Sequence, residues 1–127
     1  MTKFEPIGTG VAIITPFLPN EAIDETALRS MINHVIEGGV EYIVSLGTTG
    51  EAVTMSSDEC RKAFDITLQE VDNRVPVVAG MFGGNDTRVL QKRLKEYDLS
   101  GFSAIMSSSP AYNKPPQQGI YEHYLSK

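Results

Sequence analysis

The segment Glu41-Tyr42-Ile43-Val44-Ser45-Leu46-Gly47-Thr48-Thr49-Gly50-Glu51 decides the fold, because it joins a β-rich run to a tight loop. Its first half is a mostly apolar run without strict alternation, which is typical of a parallel strand covered on both faces. The glycines and threonines that follow are typical of a turn after such a strand. The segment therefore predicts one strand and its loop in a parallel α/β sheet.

Three further segments share this strand character and recur at a spacing of about thirty residues; they are 10–14, 75–79 and 102–106. The segments between them carry apolar residues at i, i+3 and i+4, which predicts amphipathic helices. Helix starts are predicted at Asp24, at Ser56 with Glu59 as a capping box, and near Asp86. The predicted order is therefore β-α-β-α-β-α-β, with a further element beginning at Gln117.

Two architectures are built from such units, the open doubly wound sheet and the closed (β/α)8 TIM barrel. A complete barrel needs about 250 residues, so the 127 residues of this chain match about the first four βα units. No linker or second domain is evident, which predicts that residues 1–127 form half of a single domain. The pattern alone leaves both architectures open.

Composition excludes several classes of function. The net charge is −5 and the basic residues are scattered, which argues against a nucleic-acid surface. No apolar run is long enough to cross a bilayer, and the single Cys60 cannot form an internal disulfide, so we expect a cytoplasmic protein. His34 falls on the polar side of its helix and His123 in an exposed tail, without metal-ligand spacing between them. No nucleotide-binding glycine motif occurs, so neither metal nor cofactor is predicted.

The loop Gly47–Glu51, here called the threonine loop, is the first candidate site. Two glycines allow a tight turn with exposed amides, and Thr48 and Thr49 add hydroxyl donors, which together suit a carboxylate or phosphate oxygen. The alternative is a structural turn whose threonines only cap backbone groups. The pattern favours neither.

The loop Ser107–Pro116, here called the tyrosine loop, contains the second candidate, the segment Pro110–Pro116. Its prolines stiffen the segment and hold Tyr112 where its phenol could project. A positioned phenol can relay a proton within a hydrogen-bonded chain. The alternative, favoured on pattern alone, is a tyrosine packed over the rim of the sheet.

Lysine is missing from the predicted strand ends, where burial would lower an amine pKa enough for imine chemistry. The lysines instead fall on helices, in the tyrosine loop or at the termini: Lys3, Lys62, Lys92, Lys95, Lys114 and Lys127. We therefore expect no imine-forming lysine within this chain.

Several of these motifs resemble the pyruvate-dependent Schiff-base aldolase/lyase superfamily along all 127 residues. They are Gly8-Thr9-Gly10-Val11, Thr15-Pro16-Phe17, the threonine loop and Pro110-Ala111-Tyr112-Asn113-Lys114-Pro115. The resemblance is closest to the branch that condenses pyruvate with L-aspartate 4-semialdehyde in diaminopimelate and lysine biosynthesis. It implies a TIM barrel in a homotetramer, with no cofactor and with its imine-forming lysine beyond Lys127.

The resemblance also assigns roles to individual residues. It implies that Thr49 binds the pyruvate carboxylate, that Thr48 binds substrate and joins a proton relay, and that Tyr112 is the relay tyrosine inserted into the neighbouring subunit's site. Because the nucleophile lies outside, we expect the 127-residue chain alone to be inactive. Two alternatives are a related N-acetylneuraminate lyase or 2-keto-3-deoxy acid aldolase, and a non-catalytic α/β fragment or binding module.

The resemblance further implies weak or absent feedback inhibition by lysine. In lysine-inhibited members, polar residues occupy positions that match Ala52, Ser57, Cys60, Val89 and Ala111 in this chain. Only Asn85 retains the expected residue type. Too few polar partners remain for tight lysine binding.

Overall fold

The computed structural model describes residues 3–126, which form one four-stranded parallel sheet with a helix after each strand. The strands are β1 (Gly10–Ala12), β2 (Tyr42–Ser45), β3 (Val77–Ala79) and β4 (Ala104–Ile105). The helices are α1 (Glu25–Glu37), α2 (Ser57–Val71), α3 (Thr87–Glu96) and α4 (Gln117–Leu125). The predicted order of elements is confirmed, although each strand is shorter than predicted.

The order of strands in the sheet distinguishes the two candidate architectures. Strands pair in the sequence β1-β2-β3-β4, with Val11 opposite Ile43 and Ile43 opposite Val77. A doubly wound sheet reverses direction at a switch point, whereas a barrel adds each strand next to the preceding one. The sheet therefore consists of four βα units of a barrel, which confirms the predicted fold class.

The predicted helix starts are confirmed by side-chain caps. The Asp24 carboxylate accepts from the amide of Ala27 at 2.9 Å, and Asp86 caps α3 in the same way. Ser56 and Glu59 form the reciprocal capping box at α2, and this contact lowers the pKa of the Glu59 carboxyl. Each cap satisfies amides that the first helical turn leaves without backbone partners.

The core lies between the sheet and the helices α1 and α2. Ile32 of α1 and Ile43 of β2 are fully buried. An aromatic cluster extends this core toward α3, with Phe64 contacting Phe102 and Tyr97 edge to face, and Phe82 contacting Tyr97. The cluster joins α2 and the end of α3 to the segments that follow β3 and precede β4.

Burial differs between the inner and outer strands. All residues of β3 are buried, whereas Ile14 after β1 is 50% exposed and Ile105 of β4 is 45% exposed. Within residues 3–126 no further strand pairs with the outer edge of β1 or of β4. The prediction that every strand is covered on both faces is therefore wrong for β1 and β4, because each lies at an edge of the described sheet and has strand neighbours on one side only.

His123 corrects a second expectation. The sequence suggested an exposed tail, but His123 lies on α4 and is only 4% exposed, because α4 packs against the start of α3. Its Nδ1 lies 2.7 Å from the hydroxyl of Thr87. None of the helices described between residues 3 and 126 is long and apolar enough to cross a membrane.

Candidate active site

A cavity of about 620 Å³ lies at the carboxyl ends of β2, β3 and β4. This edge is where barrel enzymes carry their sites. Polar side chains supply part of the lining: Thr48, Ser57, Asn85, Arg93, Ser107, Ser108 and Ser109. Among the described residues that line it, Arg93 alone is charged, so the cavity suits a small anionic or hydroxyl-rich ligand.

Gly80 allows the loops after β2 and β3 to approach each other closely. A Cβ at this position would lie 2.6 Å from the amide nitrogen of Gly47 and 2.8 Å from its Cα. Because both atoms belong to the backbone, they cannot swing aside as a side chain would. Gly80 therefore sets the position of the threonine loop above the cavity.

The threonine loop is closed mainly by its own backbone. Thr48–Gly50 form a single 3₁₀ turn, in which the amide of Gly50 donates to Gly47 at 3.0 Å and that of Glu51 donates to Thr48 at 3.1 Å. From the segment after β1, the buried hydroxyl of Thr15 donates to the carbonyl of Gly50 at 2.7 Å. The two amides used in the turn are not available to a ligand, so the predicted anion nest is reduced to Thr48 and Thr49.

The structure separates the three predicted site residues. Thr48 lines the cavity, whereas Thr49 and Tyr112 do not. Thr49 is exposed and Tyr112 is 94% exposed, so its phenol projects from the surface as the proline-rich loop suggested. Within the described residues, the cavity and the phenol are therefore separate features.

Tyr112 sits at the centre of a γ-turn. The amide of Asn113 donates to the carbonyl of Ala111 at 2.9 Å, and Tyr112 between them has φ of +67°. This hand of γ-turn is rare and strained for a residue with a Cβ. A loop without further contacts would relax out of this backbone conformation at Tyr112, so other parts of the structure must hold it.

Contacts from two directions hold the tyrosine loop. On one side, the amide side chain of Asn85 bonds both backbone polar atoms of Ala111, at 2.8 and 3.1 Å. On the other, the hydroxyl of Tyr124 on α4 lies 3.1 Å from that of Ser109. At the base of the loop, the Ser107 hydroxyl donates to the carbonyl of Phe82 at 2.6 Å.

Cys60 lines the cavity from α2 but is only 2% exposed. Burial raises the pKa of its thiol, and the nearby Arg93 only partly offsets this effect. The thiol is thus kept in its protonated, poorly nucleophilic form. Among residues 3–126, no cluster of three His, Cys, Asp or Glu side chains could hold a metal ion.

The described lysines occupy the predicted kinds of position, with Lys62 on α2 and Lys92 and Lys95 on α3. Lys127 lies outside the described residues. Most positions that the resemblance connects with lysine inhibition line the cavity: Ala52, Ser57, Cys60, Asn85 and Ala111. Val89 does not line it and is 50% exposed.

Sequence reasoning missed what Thr15, Asn85 and Tyr124 do. Thr15 directly follows the predicted first strand and Asn85 ends a glycine-rich loop after β3, so their places at the functional edge were visible. Their partners were not, because Gly50 and Ala111 lie 35 and 26 residues away along the chain. Tyr124 gave no signal beyond its position on α4.

The strands of the parallel sheet follow one another in chain order, and a polar cavity lies at their carboxyl ends. This is the arrangement of (β/α)-barrel enzymes. The Dihydrodipicolinate synthetase family model matches residues 5–126. The chain belongs to this family, which confirms the predicted resemblance and agrees with the predicted N-terminal half. The members that it matches are lyases.

Named relatives support the assignment. The chain is 48% identical over 118 residues to a 4-hydroxy-tetrahydrodipicolinate synthase of Flavobacterium psychrophilum, covering 93% of this chain and 40% of that protein. It superposes with a TM-score of 0.81 and 38% identity on the chloride-inhibited dihydrodipicolinate synthase of Acinetobacter baumannii complexed with pyruvate, covering 92% of this chain and 40% of that one. The chain thus spans about two fifths of the length of these relatives.

Proposed function

We propose that the complete protein carrying this chain condenses pyruvate with L-aspartate 4-semialdehyde through a lysine Schiff base, giving 4-hydroxy-tetrahydrodipicolinate. The observation that carries the proposal is the hydroxyl-lined cavity at the carboxyl ends of β2 to β4, with Thr48 in its wall. The relatives named above support the reaction, and the pyruvate complex of one of them supports the first substrate. Residues 1–127 then supply half of a single barrel domain in a cytoplasmic enzyme.

Thr48 and Thr49 hold pyruvate in this proposal. Their hydroxyls, together with backbone amides that the 3₁₀ turn does not use, donate to the pyruvate carboxylate and fix its orientation. Thr48, which lines the cavity, also passes a proton to and from the reacting substrate. A fixed turn helps both tasks, because catalytic donors must be held before the substrate arrives.

Tyr112 completes the proton relay across a subunit boundary. The phenol is 94% exposed, is held in a strained turn and is not packed in the core, and these observations support a role outside its own subunit. We infer a homotetramer in which each subunit inserts Tyr112 into its neighbour's site. The relay then couples Tyr112 to Thr48 of the neighbour.

The nucleophile comes from the other part of the barrel. A Schiff-base lysine needs a site that lowers its amine pKa, and the helical positions of Lys62, Lys92 and Lys95 do not provide one. The 127-residue chain alone is therefore inactive. The chemistry needs no cofactor, because the amine itself activates the ketone of pyruvate.

Borohydride trapping tests the proposal. Incubation of the complete protein with pyruvate and borohydride should add the mass of one reduced pyruvate to a lysine outside residues 1–127. The 127-residue chain should give no adduct. Addition of aspartate semialdehyde should then support turnover, whereas N-acetylneuraminate and 2-keto-3-deoxy acids should not be cleaved. Cleavage of those acids without turnover of the semialdehyde would replace the synthase with a related aldolase.

Valine and phenylalanine variants separate the roles. Thr49→Val should raise the pyruvate KM, and Thr48→Val and Tyr112→Phe should lower kcat by about a hundred-fold, the usual scale for a positioned proton-transfer group. Thr54→Val is the matched control, because Thr54 lies just after the same loop and its hydroxyl bonds the Glu51 carbonyl outside the cavity. Equal losses in all four variants would contradict the assignments.

Lysine inhibition is the remaining part of the proposal. With alanine at positions 52 and 111 and Cys60 buried, the positions that the resemblance connects with lysine inhibition offer lysine few polar partners. We expect the complete enzyme to be insensitive or weakly sensitive to lysine. Strong inhibition at micromolar lysine in a steady-state assay would contradict this expectation.

A further inference from the structure

The turn at Tyr112 lacks the residues that usually stabilise its conformation. Glycine is the residue that tolerates positive φ at low cost, yet Tyr112 at +67° is followed by Asn113 and then by Lys114 at +45°. One backbone hydrogen bond, from Asn113 to Ala111, closes the turn. The conformation therefore depends on contacts from outside the turn.

Asn85 supplies the contact at the turn itself. Its Oδ1 accepts from the amide of Ala111 at 2.8 Å, and its Nδ2 donates to the carbonyl of Ala111 at 3.1 Å. That carbonyl is the same oxygen that accepts from Asn113 and closes the γ-turn. A side-chain amide carries both a donor and an acceptor, so Asn85 fixes the residue before Tyr112 in both position and orientation.

Asn85 lies in a segment that other contacts hold in place. The next residue, Asp86, caps α3 by accepting from the amide of Arg88 at 2.9 Å. The loop after β3 also docks on the tyrosine loop, since Ser107 donates to Phe82 and Gly83 packs against Ser108 with no space for a Cβ. Asn85 thus links the turn at Tyr112 to β3 and α3.

We propose that Asn85 is a positioning residue for catalysis, which holds the Tyr112 turn in the conformation that presents the phenol to the neighbouring subunit. The proposal rests on the proposed function for its kinetic consequence only. It also gives the retained asparagine a role that is independent of lysine inhibition. Its side-chain amide bonds both backbone polar atoms of Ala111, and this role needs no ligand in the cavity.

Steady-state kinetics of the complete protein test the kinetic part. Asn85→Ala should lower kcat by about ten- to a hundred-fold, the cost of a small misplacement of a catalytic group, with little change in the pyruvate KM. Asn85→Asp keeps the shape but loses the donor to Ala111, and should show a loss of the same kind if Asn85→Ala fails to fold. Gln91→Ala is the matched control, because Gln91 on α3 donates to the carbonyl of Ser126, away from the turn.

A double variant separates positioning from general support of the fold. If Asn85 acts through Tyr112, then Asn85→Ala should cost almost nothing further in a Tyr112→Phe background. Losses that multiply in the double variant would overturn the proposal, as would an Asn85→Ala enzyme with wild-type kcat.

Amide hydrogen exchange tests the structural part without relying on activity. In Asn85→Ala, exchange at Ala111 and Asn113 should speed up by about tenfold or more as the turn opens, and it should stay unchanged in Gln91→Ala. If the wild-type protein does not turn over pyruvate and the semialdehyde, the proposed function fails while this measurement still decides the role of Asn85. Unchanged exchange at both amides would overturn that role.

Discussion

The threonine loop and the tyrosine loop reach the same edge of the sheet by different means. Each contains a non-glycine residue at positive φ, Glu51 at +60° and Tyr112 at +67°. The first loop closes on itself through a 3₁₀ turn, whereas the second depends on side chains from Asn85 and Tyr124. The difference indicates that the threonine loop is a local structure, whereas the tyrosine loop is held by the tertiary fold.

The largest effect is expected beneath the threonine loop, where Gly80→Ala would force a Cβ against the backbone of Gly47. Since backbone cannot yield easily, we expect a loss of about 3 kcal/mol in the free energy of unfolding, at the upper end for overpacking. Urea unfolding of the variant and the wild-type protein measures this loss in free energy. Gly119→Ala is the control, because its nearest neighbours lie at 3.5 Å or beyond and helix α4 gains an alanine. Equal stability of the two variants would mean that the loops do not approach so closely.

The next effect tests a long-range hydrogen bond of the threonine loop. Thr15→Val removes the hydroxyl that donates to Gly50 and leaves a buried carbonyl without that partner. The expected loss is about 1–3 kcal/mol in thermal or urea unfolding. Thr26→Val on the exposed face of α1 is the control and should change stability by less than about 0.5 kcal/mol. A Thr15→Val protein as stable as the control would show that the turn needs no support from β1.

Features set by neighbouring residues were predictable from sequence. The helix starts at Asp24 and at Ser56 with Glu59 were predictable, because a capping side chain and the amides that it bonds lie within three residues of each other. The threonine loop was located for the same reason, since its turn is closed by residues inside it. The parallel pairing of strands followed from the repeated βα spacing, although the choice between barrel and open sheet needed the strand order itself.

Features set by distant residues were not predictable. The two hydrogen bonds between Asn85 and Ala111 join residues that are 26 positions apart, and neither segment contains a sequence pattern that indicates the other as its partner. The same reason explains His123, whose burial depends on how α4 packs against α3. The exposure of Ile14 and Ile105 is a related case, because their cover depends on strands that would extend the sheet beyond β1 and β4.

A smaller effect is expected at the base of the tyrosine loop. Ser107→Ala removes the hydroxyl that donates to Phe82, and the hydrogen bond at 2.6 Å is partly buried. We expect a loss of about 1 kcal/mol in the free energy of unfolding, with faster amide exchange in the tyrosine loop than in the threonine loop. Ser103→Ala, at an exposed position before β4, should leave both measurements unchanged. Equal acceleration in the two loops would contradict their independence.

The smallest effect concerns the positive φ that the two loops share. At Glu51 the turn is closed by its own backbone, so Glu51→Gly should relieve the left-handed conformation without opening the loop. The gain is partly offset because glycine adds freedom to the unfolded chain, which leaves a stabilisation below about 1 kcal/mol. Lys62→Gly in the exposed middle of α2 should instead destabilise by about 1 kcal/mol. Urea unfolding of both variants gives the sign, and a destabilised Glu51→Gly protein would show that the Glu51 side chain, rather than the turn alone, holds the threonine loop.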